Sequence, residues 1–93
     1  MDTVLNHDET IKGMVRGNLI ISAGAEVIVR GMVAGNIIVK EGGKLKLYGM
    51  CTGNINAENA EVRVFGTLIG SIFSKDSKVF IDPKAAIKNE KVN

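Results

Sequence analysis

Residues 31–48 read GMVAGNIIVKEGGKLKLY and residues 49–65 read GMCTGNINAENAEVRVF, so glycine, apolar and polar residues recur at matching positions. Similar stretches precede and follow them at 13–30 and 66–82, which makes four successive units. Every unit begins with glycine and carries a second glycine four positions later. A fixed repeat of about 17–18 residues is typical of solenoid proteins, in which each repeat packs only against its neighbours.

Aligning the four units places apolar residues in five columns, and within each unit these positions alternate with polar or variable ones. That two-residue period is typical of a β-strand with one buried face, and it excludes helices. Equivalent strands of successive units must then lie side by side, parallel and in register, as in a parallel β-helix. We expect these columns to face inward: Val15, Val33, Cys51 and Leu68; Leu19, Ile37, Ile55 and Ile72; Ile21, Val39, Ala57 and Ser74; Val27, Leu45, Val62 and Val79; Val29, Leu47, Val64 and Ile81.

The glycines predict the corners of the coils, because glycine adopts backbone angles that branched residues do not. Asn18, Asn36 and Asn54 directly follow the second glycine of successive units. Two explanations of this column are open. The amide side chains hydrogen-bond from coil to coil, or asparagine occurs there because it tolerates a left-handed turn.

One outward column alternates in charge from coil to coil: Glu26, Lys44, Glu61 and Lys78. Neighbouring strands lie about 4.8 Å apart, so each charge is predicted to have an opposite neighbour. An exposed pair contributes only ~0.2–1 kcal/mol, but a slip by one coil would place like charges together. The column is therefore expected to fix the register more than to stabilise the fold.

The repeat divides the chain into three segments. Residues 11–82 form the β-helix, because Ile11 extends the Val29 column by one coil. Residues 1–10 are expected to form a flap or partial coil over the N-terminal end. Pro83 interrupts the pattern, so residues 83–93, anchored by Ile87, are expected to form a cap or a frayed tail.

The string GNINAENAEVRVFGTLIGSI at residues 53–72, with its paired glycines and alternating aliphatic residues, resembles the bactofilins, a family of polymer-forming bacterial cytoskeletal proteins. The resemblance covers about residues 11–82. It implies an all-β, right-handed, roughly triangular parallel β-helix with three short strands per coil. The repeat length then gives about four coils, each of about 17–18 residues. The resemblance also implies polymerisation through the ends of the helix, without a nucleotide.

The residue inventory argues against an enzyme. His7 is the only histidine and lies outside the repeats, so the β-helix offers no general base of the kind that hexapeptide-repeat acyltransferases use. Cys51 lies in an inward aliphatic column, where burial raises a thiol pKa and makes a poor nucleophile. No metal-ligand cluster or phosphate-binding loop is evident, so we expect no cofactor and no small-molecule substrate.

The bulk properties point to a small protein without a nucleic-acid partner. The net charge is +2, from 12 basic and 10 acidic residues spread along the chain. A single cysteine fits a reducing compartment, so we expect the cytoplasm. No stretch approaches the ~20 apolar residues that span a bilayer, and the N-terminus lacks the apolar segment of a secretion signal.

Two surfaces remain as candidates for function. The free ends of a short solenoid expose unpaired strands, and pairing top to bottom would yield a filament. The predicted end-on residues are Ile11, Lys12 and Glu26 at one end and Lys78, Val79, Phe80 and Ile81 at the other. The predicted side wall consists of Ile20, Ile38, Asn56 and Phe73, with Tyr48 beside Phe65 in another column.

Three hypotheses follow from these surfaces. The first is a self-associating scaffold of the bactofilin type that polymerises through its ends. The second is a small module that binds one protein partner through its apolar wall, such as an antitoxin or immunity protein. The third, a hexapeptide-type acyltransferase, is disfavoured by the single histidine.

Overall fold

The computed structural model describes residues 2–88 and contains only strands and connecting turns within that range. The strands form three parallel sheets of five, and consecutive strands along the chain lie in different sheets. The fold is therefore a parallel β-solenoid, as the repeat predicts. Sheet 1 contains β1 (Thr3–Leu5), β4 (Leu19–Ile21), β7 (Ile37–Val39), β10 (Ile55–Glu58) and β13 (Ile72–Lys75). Sheet 2 contains β2 (Glu9–Ile11), β5 (Glu26–Val29), β8 (Lys44–Leu47), β11 (Glu61–Val64) and β14 (Lys78–Ile81). Sheet 3 contains β3 (Met14–Arg16), β6 (Met32–Ala34), β9 (Met50–Cys51), β12 (Thr67–Leu68) and β15 (Ala86–Ile87).

The solenoid has about five coils, one more than the sequence predicted. Coil 1 spans residues 3–16, coil 2 spans 19–34, coil 3 spans 37–51, coil 4 spans 55–68 and coil 5 spans 72–87. The additional coil comes from both ends of the chain. β1 pairs with β4 inside the segment predicted as a flap or partial coil, and β15 pairs with β12 inside the segment predicted as a cap or tail. Met1 and residues 89–93 of those two segments lie outside the described residues.

The five inward columns form the core in the predicted register. Leu19 pairs with Ile37, and Val27 pairs with Leu45, and all four side chains are fully buried. The column that begins at Ile21 shrinks to Ala57 in coil 4 and to Ser74 in coil 5. Since each coil contributes only one layer of side chains, almost all of the apolar burial comes from coils stacking on each other.

The three corners of each coil differ in what they require of the backbone. At the second corner, from sheet 2 to sheet 3, a Cβ on Gly49 would overlap the carbonyl oxygen of Gly31 one coil below. At the third corner, from sheet 3 to the next coil, a Cβ on Gly53 would overlap the carbonyl of Gly35. Glycine is therefore needed at these two corners where a coil lies below, because the stacked backbones approach closely.

The first corner, from sheet 1 to sheet 2, has a left-handed backbone, as Gly17 (φ 98°) also has at the third corner of coil 1. Four residues with positive φ form one column there: Gly24 (φ 80°), Gly42 (φ 76°), Asn59 (φ 49°) and Asp76 (φ 52°). Asparagine and aspartate adopt this conformation more readily than other side chains, which explains why they replace glycine in coils 4 and 5.

The asparagine column at the third corner forms hydrogen bonds between coils. Asn18 Oδ1 accepts the backbone N–H of Asn36 at 3.1 Å, and Asn36 Oδ1 accepts that of Asn54 at 2.8 Å. Asn54 Oδ1 continues the series by accepting the N–H of Ser71 at 2.9 Å. None of these asparagines has a positive φ. The first explanation is therefore correct, with a backbone N–H as the donor in place of a neighbouring amide.

Replacing Gly49 by alanine is expected to destabilise the fold, while Gly13→Ala is expected to be tolerated. The added methyl group at Gly49 meets backbone that cannot move without shifting the coil below, whereas nothing lies within 4 Å of a Cβ at Gly13. We expect Gly49→Ala to lower the free energy of unfolding by about 2 kcal/mol or more, in the range of overpacked sites. Urea unfolding followed by circular dichroism measures both variants, and equal stability of the two would contradict the close-approach explanation.

Candidate functional site: the ends and outer faces of the solenoid

Both ends of the solenoid present open sheet edges within residues 2–88. Strands β1, β2 and β3 pair only with coil 2, and β13, β14 and β15 pair only with coil 4. Their outer N–H and C=O groups are available to pair with another chain. An open edge on all three sheets is the main feature of each end.

The N-terminal end combines apolar and charged residues. Ile11 is buried at its sheet edge and Lys12 is exposed beside it, so both predicted residues lie at this end. Glu9 occupies the inward column of Val27 and Leu45, where the other coils have aliphatic side chains. Its Oε1 lies 2.9 Å from Nε2 of His7 at the exposed first corner. An inward-pointing charge at an edge strand opposes pairing with another chain.

The C-terminal end has a more apolar inner surface. β14 contains the predicted residues Lys78, Val79, Phe80 and Ile81. Val79 and Ile81 face inward and are partly buried against the core, together with Ile87 of β15. Phe80 faces outward and is 49% exposed. This end therefore lacks an inward charge like that of Glu9 among the described residues.

The alternating charged column has the predicted register but not the predicted ion pairs. Glu26, Lys44, Glu61 and Lys78 are successive partners in sheet 2. Glu26 Oε2 nevertheless lies 3.2 Å from Nζ of Lys46, diagonally across the strands, and Glu61 Oε2 lies 2.7 Å from Nε of Arg63 in its own strand. Glu26 also lies in coil 2, one coil away from the end, so the prediction that it belongs to the N-terminal end is wrong. Asp8 lies at that end, and its Oδ1 accepts the backbone N–H of Glu26 at 2.8 Å.

The side wall is the outer face of sheet 1. Its outward column contains the predicted residues Ile20, Ile38, Asn56 and Phe73 in consecutive coils. Val4 extends the column into coil 1 and is 57% exposed. Val4 was not among the predicted residues of the wall, because it lies closer to its partner Ile20 along the chain than Ile20 lies to Ile38. Asn56 is short compared with its neighbours, and a depression of about 330 Å³ lies here. It is lined by Ile38, Asn56 and Phe73 of the column and by Lys40, Glu58 and Lys75.

The aromatic residues of the second column lie at the second corner, apart from the side wall. The rings of Tyr48 and Phe65 stack with centroids 4.7 Å apart and planes 9° apart. The Arg30 guanidinium lies over Tyr48 at 4.8 Å, and Phe80 lies 5.8 Å from Phe65. These rings contact each other across coils, which is typical of a stabilising ladder on the surface.

The outer face of sheet 3 carries a second apolar column, which was not predicted from the sequence. Met14, Met32 and Met50 are consecutive partners, and Met14 is 52% exposed. The signal was present in the sequence, since each methionine directly follows the first glycine of its unit. Methionine side chains are flexible and adapt to varied contacts.

The Cys51 thiol lies in the interior of the solenoid. Cys51 is fully buried, and its Sγ lies within hydrogen-bond distance of the carbonyl oxygens of Gly35 and Gly53. Burial raises the pKa of the Cys51 thiol, which confirms the prediction from its column. Residues 2–88 contain no cluster of three or more histidine, cysteine or acidic side chains that could hold a metal ion. No element in this range is a helix long and apolar enough to cross a membrane.

Comparisons of the chain with protein-family models, with curated proteins and with solved structures found no match.

The Cys51 thiol is expected to resist modification in the folded protein. Because burial raises its pKa, the folded state holds the proton more tightly than the unfolded state does. Protonation of the thiol therefore contributes to the free energy of unfolding. This contribution is fully present below the pKa of the unfolded state and is lost as pH rises through the higher pKa of the folded state. A thiol reagent should label the native protein at the rate of unfolding, while an Ile38→Cys variant should react at once at its surface site. Immediate labelling of the wild-type protein would contradict the burial of Cys51.

Proposed function

We propose that this protein is a non-enzymatic structural protein whose molecules associate through the ends of the solenoid. The observation that carries the proposal is the open edge of all three sheets at both ends of residues 2–88. Addition of a further coil at such an edge forms backbone hydrogen bonds without rearranging the molecule. Because the two ends differ, top-to-bottom contact is heterologous and does not close, so it leads to a filament.

The charges at the two ends favour top-to-bottom stacking. If coil 1 of one molecule continues the columns of coil 5 of another, Lys78 approaches Asp8 of the next molecule. Asp82 then approaches Lys12 in the same way. Both contacts join opposite charges, whereas joining two C-terminal ends would bring together the lysines of coil 5. Charge complementarity of this kind selects one orientation of association over another.

Apolar contacts support the same arrangement. Phe73, 42% exposed in coil 5, would lie next to Val4 of the following molecule, which is 57% exposed. In the core, Ile81 would lie under Ile11 and Ile87 under Val15. Glu9 opposes the contact, because stacking places it over Val79. We therefore expect end-on association to be concentration-dependent and of moderate affinity.

Association through the ends is also what the resemblance to bactofilins implies, but that resemblance favours head-to-head joining, whereas the charges at the two ends favour top-to-bottom stacking. A second candidate is the binding of one protein partner, in the manner of an antitoxin or immunity protein. The side wall favours it, because apolar residues grouped on an outer face often mark a protein interface. Light scattering across a concentration series distinguishes the two, since a binding module stays small while a scaffold grows.

Reversing the charges of Lys12 and Lys78 is expected to weaken end-on association. The double variant K12E/K78E turns both predicted junction pairs into like charges, and each exposed pair contributes ~0.2–1 kcal/mol. We expect association to weaken about tenfold at low salt, and the difference to shrink at high salt because exposed charges are screened. The control K44E/K46E makes the same change of net charge in coil 3, away from the ends. It also removes the ion pair between Lys46 and Glu26, so circular dichroism first verifies its fold, and its association should then be close to wild type. Equal weakening by both double variants would argue against the junction.

Replacing Glu9 by valine is expected to strengthen end-on association. The substitution continues the inward column of Val27 and Leu45 to the edge and removes a charge that stacking would bury. We expect filaments at a concentration about tenfold lower, which corresponds to ~1.4 kcal/mol. The same substitution at Glu41, an exposed residue of the first corner in coil 3, is the control. Electron microscopy and sedimentation measure the effect, and an unchanged threshold in Glu9→Val would count against stacking at this end.

A further inference from the structure

The side wall has both an apolar column and a charged border. Ile20, Ile38 and Phe73 project from sheet 1, with the depression at Asn56 between the last two. Along the carboxyl ends of the same strands lie Lys40, which follows β7, and Glu58 in β10. Lys75 in β13 is the partner of Glu58 in the register. Along the solenoid axis, the wall therefore presents apolar side chains with a depression between them and, beside these, charges of alternating sign.

The charged border lacks internal ion pairs. Within residues 2–88, the ion pairs join His7 to Glu9, Lys46 to Glu26 and Arg63 to Glu61, and none involves Lys40, Glu58 or Lys75. Lys40 and Glu58 are exposed. Their charges are therefore free to pair with groups on another molecule.

We infer that two copies of this chain pair face to face through sheet 1, about a two-fold axis that runs parallel to the strands between coils 3 and 4. With this symmetry, the facing strands of the two copies run in the same direction, so their carboxyl ends lie opposite each other. The coils of the two copies run in opposite order along the solenoid axis. Lys40 of each copy then lies opposite Glu58 of the other, which gives two opposite-charge pairs. Ile38 of each copy faces the depression at Asn56 of the other, and Ile20 faces Phe73.

The charges select this register among the alternatives. An axis through coil 3 would place Lys40 opposite Lys40, and an axis through coil 4 would place Glu58 opposite Glu58. An axis parallel to the solenoid would place Lys40 opposite the third corner, near Asn36, where no charge is available. Like charges directly opposite are destabilising, so the axis between coils 3 and 4 satisfies shape and charge together.

The lateral pair is independent of the end-on association proposed above. It buries the outer face of sheet 1 and leaves both ends free. End-on stacking brings coil 5 against coil 1, so it never places coil 3 of one molecule near coil 4 of another. An experiment on coils 3 and 4 therefore tests the lateral pair alone.

Disulfide crosslinking between two single-cysteine variants tests the register. Ile38→Cys and Asn56→Cys are prepared separately and then mixed under mild oxidation at neutral pH. We expect the mixture to form crosslinked dimers at least about fivefold faster than either variant alone, because Ile38 faces Asn56 only across the pair. Wild-type protein, which has only the buried Cys51, is the control and should not crosslink. Faster crosslinking of Ile38→Cys with itself, or no crosslinking in the mixture, would overturn the inferred register.

Charge reversal tests the pairing of Lys40 with Glu58. Lys40→Glu and Glu58→Lys should each weaken dimer formation about tenfold at low salt, because each produces two like-charge contacts. The double variant K40E/E58K restores opposite charges at both contacts, so it should associate within about threefold of the wild-type protein. Ile38→Asp should abolish the pair while circular dichroism shows an unchanged fold, since Ile38 faces outward. If the double variant is as weak as the single variants, or if Ile38→Asp dimerises normally, the lateral pair is refuted.

Discussion

Backbone hydrogen bonds between coils join equivalent residues of successive repeats, and the rest of this structure depends on that register. Leu19 is the register partner of Ile37 on the neighbouring strand, and Ile37 is the partner of Ile55, so like side chains lie directly above one another. The core, the asparagine series and the glycine corners all follow from this arrangement. At Gly49 and Gly53, glycine is required because the backbone one coil away approaches closely. Sequence repetition is thus a direct consequence of parallel, in-register stacking.

Because the coils repeat by translation, the groups that can contact other molecules lie at the two ends and on the outer faces. A coil in the middle of the stack has both its edges paired, so only its outward side chains remain available to other molecules. The end coils differ from the middle ones through single residues in otherwise uniform columns. The N-terminal end differs from the middle coils because Glu9 lies in an otherwise aliphatic column and Asp8 lies beside the edge. In a repeat protein, residues that depart from the repeat are the first candidates for a functional role.

The sequence was sufficient to predict the fold and the inward columns, because parallel stacking converts a periodic sequence directly into neighbouring residues. It was insufficient at the ends of the chain. Coil 1 has a shorter first corner, so Val4 does not align with Ile20 at the spacing that relates Ile20 to Ile38. Coil 5 has a longer second corner that includes Pro83, which concealed the strand at Ala86. The ion pairs of Glu26 and Glu61 could not be predicted from columns, because they depend on the reach of side chains along and across strands.

The first corner varies in length from coil to coil. Between the inward columns on either side, it comprises residues 6–8 in coil 1, 22–26 in coil 2, 40–44 in coil 3, 58–61 in coil 4 and 75–78 in coil 5. In the middle coils the other two corners are held by backbone contacts at their glycines and cannot lengthen in this way. Foreign peptides inserted at the first corner of several coils would form one row along an edge of the molecule, with the insertion points of neighbouring coils about 4.8 Å apart. The solenoid would thus hold attached groups at regular intervals that are set by the distance between strands.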